Sequence, residues 1–314
     1  MNSANSKQQV FFEAKRAVRL SNSFTSTLAK IFISRYKLPY FYCWYAYFRW
    51  VDDTADTYDI SLQDKVLFIS AQQKLVESFY STESKKPLAN IAESYLRELI
   101  IYDQGNGSCI KKFIFDMLSC IQFDIKRINT YTSKEYLENY FTKEVLSYLN
   151  TFQFFCTPPR KYLEIRQSKE GIAGKWIHIL RDFRKDIEEK IFNLPKEDVV
   201  SYQIDITDVN SQITKENFKR WVMEKISGVS MAFREGKKRL IYHPSWKYKM
   251  IVLILCFKYQ LYQKEISKAE FILKKDYVLS RLLIWRKLPL LCKEIVTFSF
   301  YHLAVYKLRL LKVK

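Results

Sequence analysis

The chain has 314 residues, of which 48% are hydrophobic and 16% aromatic, so it can bury a large core and is not disordered by composition. Its formal net charge of +19 favours anionic partners: nucleic acid, acidic lipid headgroups or phosphorylated small molecules. Only 6 Gly and 7 Pro occur, and alternating short strands are not evident. We therefore predict an all-α protein.

The helices are predicted in chain order from the spacing of apolar residues. A first helical region runs from about Phe11 through Ser34, and the next helix follows Pro39. A later helix is indicated by apolar residues three to four apart: Ile91, Tyr95, Leu99 and Tyr102. Turn residues predict loops at 81–87, 103–108, 157–159 and 204–212. None resembles an interdomain linker, so we predict one domain over residues 1–314, with a core at about 15–295.

Two acid-rich helical segments, about 130 residues apart, carry the strongest chemical signal. Asp52 and Asp56 form one pair, and Asp182 and Asp186 form the other. Residues four apart lie on the same helix face, so each pair could bind a hard divalent cation. Two such pairs at the mouth of an apolar bundle would hold magnesium and, through it, a diphosphate leaving an allylic carbon.

The two segments resemble the aspartate motifs of the squalene/phytoene synthase family. Residues Tyr45 to Asp56 are similar to YAxxRxxDDxxD, and Ile177 to Asp198 are similar to the second motif and its LPxED tail. Three weaker matches bring the resemblance to roughly residues 15 to 295: Ser21 to Phe24 with the SxSF element, Asp124 after a helix, and Tyr259 to Ile266 with a late helix.

The resemblance implies a single-domain isoprenoid synthase helical bundle with a central apolar cavity. Such an enzyme condenses two allylic prenyl diphosphates, farnesyl or geranylgeranyl, head to head through a cyclopropylcarbinyl diphosphate. The product is of the squalene, dehydrosqualene or phytoene type. Whether NADPH is used is left undecided, because reductive members of the family do not use a Gly-rich turn.

The resemblance also implies which residues act. The catalytic, metal-binding carboxylates would be Asp52, Asp56, Asp182 and Asp186, with Asp53 supporting Mg²⁺ or Mn²⁺. The diphosphate contacts would be Ser21, Ser23, Tyr45, Arg49, Arg181 and Tyr259. Without ligand, the two arginines could instead pair with the adjacent acids.

Four departures from the family pattern lie in the expected pocket. His178 stands where an Asn ligand is usual, so it shifts the metal preference toward manganese or donates to phosphate instead. Lys175 replaces a Gln and could be a fixed counter-charge for substrate or a source of repulsion toward metal. Lys185 replaces a Glu, and larger residues at 140–149, with Thr142 in place of Tyr, predict a shorter or reshaped cavity.

These departures keep two alternatives open. One is a single-substrate terpene synthase or diphosphate lyase on the same fold, and the other is a non-catalytic relative that acts in assembly or at a membrane. Nucleic-acid binding is not expected, because no reading motif is present.

Other features bear on location. The six cysteines have no metal-site spacing and predict buried free thiols in a reducing compartment. The apolar run Met250 to Phe257 is far shorter than the ~20 residues that span a bilayer, and no signal-peptide core is present. Residues 295–314 mix basic and apolar residues, which suits a membrane surface or a helix packed on the core. We expect a cytoplasmic protein that binds the membrane peripherally.

Overall fold

The computed structural model describes residues 6–57, 59–81, 88–158, 162–205 and 215–267, and the single positions 289, 290, 293, 295 and 296. The helices in this part of the chain are α1 (Lys7–Ser21), α2 (Ser23–Phe32), α3 (Leu38–Ala55), α4 (Leu62–Tyr80), α5 (Ile91–Gln104), α6 (Lys111–Lys126), α7 (Lys134–Cys156), α8 (Lys169–Glu188), α9 (Lys196–Ser201), α10 (Glu216–Leu240) and α11 (Trp246–Ile266). Over the same ranges the only β-type pairing is an isolated bridge between Thr132 and Pro195. The predicted all-α architecture is confirmed.

Local capping decides where several helices begin. The helical region predicted from about Phe11 through Ser34 consists of two helices, because Asn22 divides it into α1 and α2. Asn22 has an extended φ of −150°, and its side-chain oxygen accepts a hydrogen bond from the Thr25 N–H at 3.0 Å. Asn at a helix N-cap satisfies a backbone donor that the first turn leaves unpaired.

The predicted loop signals hold wherever the structure describes them. Helix α5 ends at Gln104, directly before the turn at Gly105 to Gly107. Helix α7 ends at Cys156, before the Thr157-Pro158 signal. The residues 82–87 and 206–214, which carry most of two other predicted loops, lie outside the described residues.

The described chain forms two compact units, and α7 contributes to both. The first unit contains residues up to Lys126 together with Leu146–Ile165, and the second contains Arg127–Val145 together with the residues from Arg166 onward. The single domain predicted from sequence stays a prediction.

Helix α3 is the centre of the first unit. It contacts α1, α2, α4, α5 and α6, and its Phe41, Trp44 and Tyr47 are almost completely buried. The Phe41 ring meets the Phe152 ring edge-on at a centroid distance of 4.9 Å. These aromatic residues are therefore core packing of this unit.

A buried lysine closes the last turn of α7 in the same unit. Lys37 is 2% exposed, and its Nζ donates to the carbonyl oxygens of Phe154 at 2.9 Å and Thr157 at 2.7 Å. The last carbonyls of a helix have no partner within the helix, so a cation placed there satisfies them.

The second unit is built around α8, which contacts α10 and α11. Two glycines allow close approach. A Cβ on Gly236 would lie 2.3 Å from the Glu170 carboxylate of α8, and one on Gly174 would lie 3.0 Å from the Tyr259 ring of α11. Any side chain at Gly236 would force these helices apart.

Asp198, the last residue of the LPxED-like tail after α8, has structural contacts. Asp198 is nearly buried, accepts a hydrogen bond from Trp221 Nε1 at 2.8 Å and pairs with Lys225 at 2.7 Å. It therefore ties α9 to α10.

Four of the five described cysteines are buried and all five are free thiols, as predicted. Within the described ranges, no helix is both long and apolar enough to cross a bilayer. The predicted basic tail at 295–314 lies almost wholly outside the described residues.

Candidate active site

The first acidic pair stands at the end of α3. Asp56 is the C-cap of this helix, and its N–H donates to the Asp52 carbonyl at 2.9 Å, one turn earlier. One turn before Asp52, Arg49 Nε donates to Asp53 at 3.0 Å and Nη1 lies 3.5 Å from Asp52. Arg49 therefore pairs with the adjacent acids, which is one of the two roles expected from the sequence.

The surroundings of the Asp52 carboxyl disfavour its charged form. Burial, followed by the nearby Asp56 charge, raises its pKa to about 7 against the opposing effect of Arg49. Asp124 also raises this pKa. The sequence placed Asp124 after a helix. In the structure it lies within the last turn of α6. Asp53 raises the pKa of Asp52 as well, so three neighbouring acids repel the Asp52 charge, and a divalent cation would relieve this repulsion.

Of the predicted diphosphate contacts, Tyr45 lies near Asp52, and Ser21 lies near Tyr45. Burial raises the pKa of Tyr45, although its hydroxyl hydrogen-bonds with the side chains of Asn22 and Ser21. Ser21 is the last residue of α1, and its Oγ donates to the Ala17 carbonyl at 2.9 Å. Ser23 is exposed at the start of α2.

A cavity of about 600 Å³ opens between α1, α3 and the start of α5. Its lining includes Ser21, Arg49 and Asp53, together with apolar groups from Leu20, Trp50 and Tyr95. Two of the residues predicted to contact diphosphate therefore share one surface of the first unit. Asp52 and Asp56 do not line this cavity.

The second acidic pair lies on α8, and Asp182 is already engaged by two side chains. Arg181 Nε donates to Asp182 at 2.6 Å, and His178 Nε2 lies 3.0 Å from the same carboxylate. Burial alone would raise the pKa of Asp182, but these two partners hold it far below its usual range.

The environment of His178 favours its neutral form. Burial lowers its pKa from the ordinary 6.5, against the hydrogen bond to Asp182. The neutral ring can donate its Nε2–H to Asp182. The structure thus gives His178 a carboxylate partner one turn away.

Asp186 has a different environment. Burial, and the charge of Asp182, raise its pKa to about 7, although Asn193 Nδ2 donates to it at 2.8 Å. Lys185 lies 3.6 Å from Glu189, and against the effect of burial its pKa is raised by Glu189 and by the charges of Asp182 and Asp186. Lys185 is exposed, so its effect on the acidic pair is screened.

Lys175 is held by an acid that the sequence did not single out. Its ammonium lies 2.5 Å from the Glu144 carboxylate of α7. Burial would raise the pKa of Glu144, but Lys175 outweighs it and the pKa is lowered. The Lys175 ammonium also lies 5.3 Å from the Tyr140 ring centroid. Thr142, the fourth departure, is exposed on the same helix.

Helix α11 adds Tyr259 and a further cation. Burial raises the pKa of Tyr259, with Arg181 opposing this effect. The Arg181 guanidinium lies 5.4 Å from the ring of Tyr262, one turn further along α11. Lys258 lies close enough to Arg181 that burial and this arginine lower its pKa to about 8. Sequence reasoning missed Lys258, because its only signal is a lysine inside an apolar helix.

The four aspartates of the two pairs differ in how well they could bind a hard cation. Carboxylate oxygens are the donors that Mg²⁺ prefers, and Asp52, Asp56 and Asp186 supply them. Asp182 is already neutralised by protein groups. In the described part of the chain, no three His, Cys, Asp or Glu side chains are grouped as a ready-made metal site. The first pair belongs to the first unit and the second pair to the second, so their convergence stays a prediction.

No protein-family model and no curated protein matches the sequence. The squalene synthase HpnC from Alicyclobacillus acidocaldarius is similar in structure, with a TM-score of 0.64, 16% identity, and coverage of 82% of this chain and 93% of that one.

A dehydrosqualene synthase solved in complex with a ligand is also similar. Its TM-score is 0.73 at 17% identity, over 94% of this chain and 98% of that chain. The chain therefore has a squalene/phytoene synthase-like fold.

Proposed function

We propose that the chain is a magnesium-dependent prenyltransferase that condenses two allylic prenyl diphosphates head to head to a squalene-, dehydrosqualene- or phytoene-type hydrocarbon. The observation that carries the proposal is geometric: Arg49 contacts Asp52 and Asp53 at the end of α3, and Arg181 contacts Asp182 on α8. One carboxyl of each pair, Asp52 and Asp186, has a pKa raised to about 7 by burial and by neighbouring acids. Helices that hold strained carboxylates near an arginine are suited to binding a cation and an anion together.

Each group has a distinct role in this proposal. Asp52 and Asp56, with Asp53 beside them, would hold Mg²⁺ in the first unit, and Asp186 with Asp182 would do so in the second. Bound magnesium would draw negative charge from the leaving diphosphate. Mn²⁺ is a second candidate metal, because His178 adds a nitrogen donor.

Arginine, serine and tyrosine side chains would orient the diphosphate by direct hydrogen bonds. Arg49 can exchange its contacts with the acids for phosphate oxygens once metal neutralises those acids. Ser21, Ser23 and Tyr45 would donate hydroxyl hydrogens in the first unit. Arg181, Lys175 and Tyr259 would do the corresponding work in the second unit, with Lys258 as an additional positive charge.

A second candidate is a single-substrate terpene synthase or diphosphate lyase on the same fold. The contacts of the second pair favour it. Asp182 is clamped by Arg181 and His178, and Lys175 adds a positive charge beside Asp186. These side-chain cations take the place of part of the metal charge at this pair. Less positive charge then remains to hold a second diphosphate.

The deciding experiment is an incubation of the purified chain with farnesyl and geranylgeranyl diphosphates, with Mg²⁺, with Mn²⁺ and with a chelator. We expect metal-dependent release of diphosphate and a hydrocarbon with twice the carbon number of the substrate. A hydrocarbon or alcohol with the carbon number of one substrate would favour the second candidate. No diphosphate release with either metal would sink both and leave the non-catalytic relative.

The place of action is also proposed. A product of this kind is insoluble in water, and the basic, apolar segment at 295–314 suits peripheral attachment to a membrane. Cytoplasmic location follows from the sequence expectation of free thiols.

A further inference from the structure

The turn between α10 and α11 exposes two large aromatic side chains. Tyr242 is 58% exposed and Trp246 is 60% exposed. Met223 and Met231, on the preceding helix α10, are each 52% exposed. Several large apolar groups exposed on one helix and the turn that follows it are more typical of an interaction surface than a single exposed residue is.

Hydrogen bonds of the side chains of Lys249 and His243 hold the backbone of this turn. Lys249 is 2% exposed, and its Nζ donates to the Ile241 carbonyl at 2.6 Å, which closes the end of α10. His243 Nδ1 accepts a hydrogen bond from the Ser245 N–H at 3.1 Å, and its ring lies 4.4 Å from the Tyr248 ring. The exposed aromatic side chains therefore project from a rigid support, which lowers the entropy lost on binding.

The same turn is strongly basic. Arg234, Lys238 and Arg239 are exposed in the last two turns of α10. The sequence contains no Asp or Glu from 236 to 264. Two acids lie near the first residues of this stretch: Glu235, which is paired with Lys169, and Glu170, whose side chain packs against Gly236. Basic residues outnumber them, so an anionic partner would meet net positive charge.

We propose that the turn surface, formed by Arg234, Lys238, Tyr242 and Trp246, docks on an anionic lipid bilayer. Tyr and Trp are favoured at the boundary between headgroups and acyl chains, and basic side chains bind lipid phosphates. The exposed methionines favour a bilayer over nucleic acid, because a polynucleotide has no apolar layer to receive them. This surface is separate from residues 295–314, and the inference does not depend on the proposed enzymatic activity.

The test measures sedimentation of the full chain with phosphatidylcholine vesicles that contain or lack phosphatidylserine. The unmodified chain should bind the anionic vesicles and bind the neutral ones weakly. Arg234→Glu/Lys238→Glu should weaken binding by about fivefold or more for each side chain. The matched control is Lys30→Glu/Arg35→Glu, which changes the net charge equally at two exposed positions in the first unit. The control should lose much less.

The aromatic contribution is tested separately. Tyr242→Ser/Trp246→Ser should reduce vesicle binding by about tenfold, whereas Tyr36→Ser/Tyr136→Ser, at two positions that are each 66% exposed, should leave it unchanged. Lipids with brominated acyl chains should quench tryptophan fluorescence, and Trp246→Phe should remove most of that quenching. Thermal unfolding of each variant checks that it is folded.

Two results would overturn the inference. One is binding to anionic vesicles that neither pair of turn substitutions weakens more than its control does. The other is binding of single-stranded RNA through Tyr242 and Trp246 with no binding to vesicles.

Discussion

The Lys175 ammonium lies 2.5 Å from the Glu144 carboxylate and so links α8 to the first part of α7. Lys175 also lowers the pKa of Asp186. Lys175 replaces the usual Gln, and its charge is balanced by Glu144 from another helix. The same charge still affects Asp186 of the second motif. This supports a fixed counter-charge more than a general repulsion of metal.

The first prediction concerns this ion pair. Lys175→Met should destabilise the fold by roughly 2 kcal/mol, because it leaves the half-buried Glu144 without its partner. Glu144→Gln in the same background should recover most of that loss. Urea unfolding of the two single variants and the double variant measures the coupling. Additive effects of the two substitutions would show that the pair contributes nothing.

The second prediction concerns the acidic pairs. Asp52→Ala and Asp182→Ala should each reduce diphosphate release by about 10²-fold or more, since each removes a charge placed at the reacting group. Circular dichroism should show that both variants remain folded. Asp59→Ala is the matched control, because this acid is exposed in the loop after α3. Full activity in either test variant would contradict the assigned role.

The third prediction concerns metal preference. His178→Asn should raise turnover with Mg²⁺ and increase the ratio of Mg²⁺-supported to Mn²⁺-supported turnover by about tenfold. The reason is that His178 donates to Asp182 and offers magnesium only a nitrogen ligand. Steady-state rates with each metal provide the measurement. A fall in Mg²⁺-supported turnover would instead indicate that the imidazole contacts phosphate.

The fourth prediction concerns pH. The folded-state pKa of Asp186 is about 7, above its ordinary value of 3.8. Ionising Asp186 therefore costs more in the folded chain than in the unfolded chain, and stability declines as pH rises from about 4 to 7.

Asp186→Asn removes that cost while keeping a partner for Asn193. In the presence of a chelator, its Tm should exceed that of the parent by roughly 2–4 °C at pH 8, with no gain below pH 4. Differential scanning calorimetry at the two pH values provides the measurement. Equal Tm values at pH 8 would contradict the raised pKa.

Much of the fold was predictable because helical spacing is a local property. The apolar residues from Ile91 to Tyr102 lie on α5 as expected, and the aspartates four apart share one face of α8. The split at Asn22 was missed because an Asn inside an apolar pattern does not by itself reveal that it will cap a second helix. The residues of the two motifs were found from sequence, and so was the pairing of Arg49 and Arg181 with the adjacent acids. The Glu144 partner of Lys175 was not.

The sequence by itself determined that the chain is helical, that aspartates recur one turn apart on two helices, and that an arginine precedes each pair. These properties depend on neighbours within one or two turns. Only the tertiary structure decided that Glu144 holds Lys175, that Asp124 raises the pKa of Asp52, and that Lys258 lies near Arg181. Those partners lie at least 31 residues apart in the chain. Their charges are therefore brought together by helix packing, which no local sequence pattern reveals.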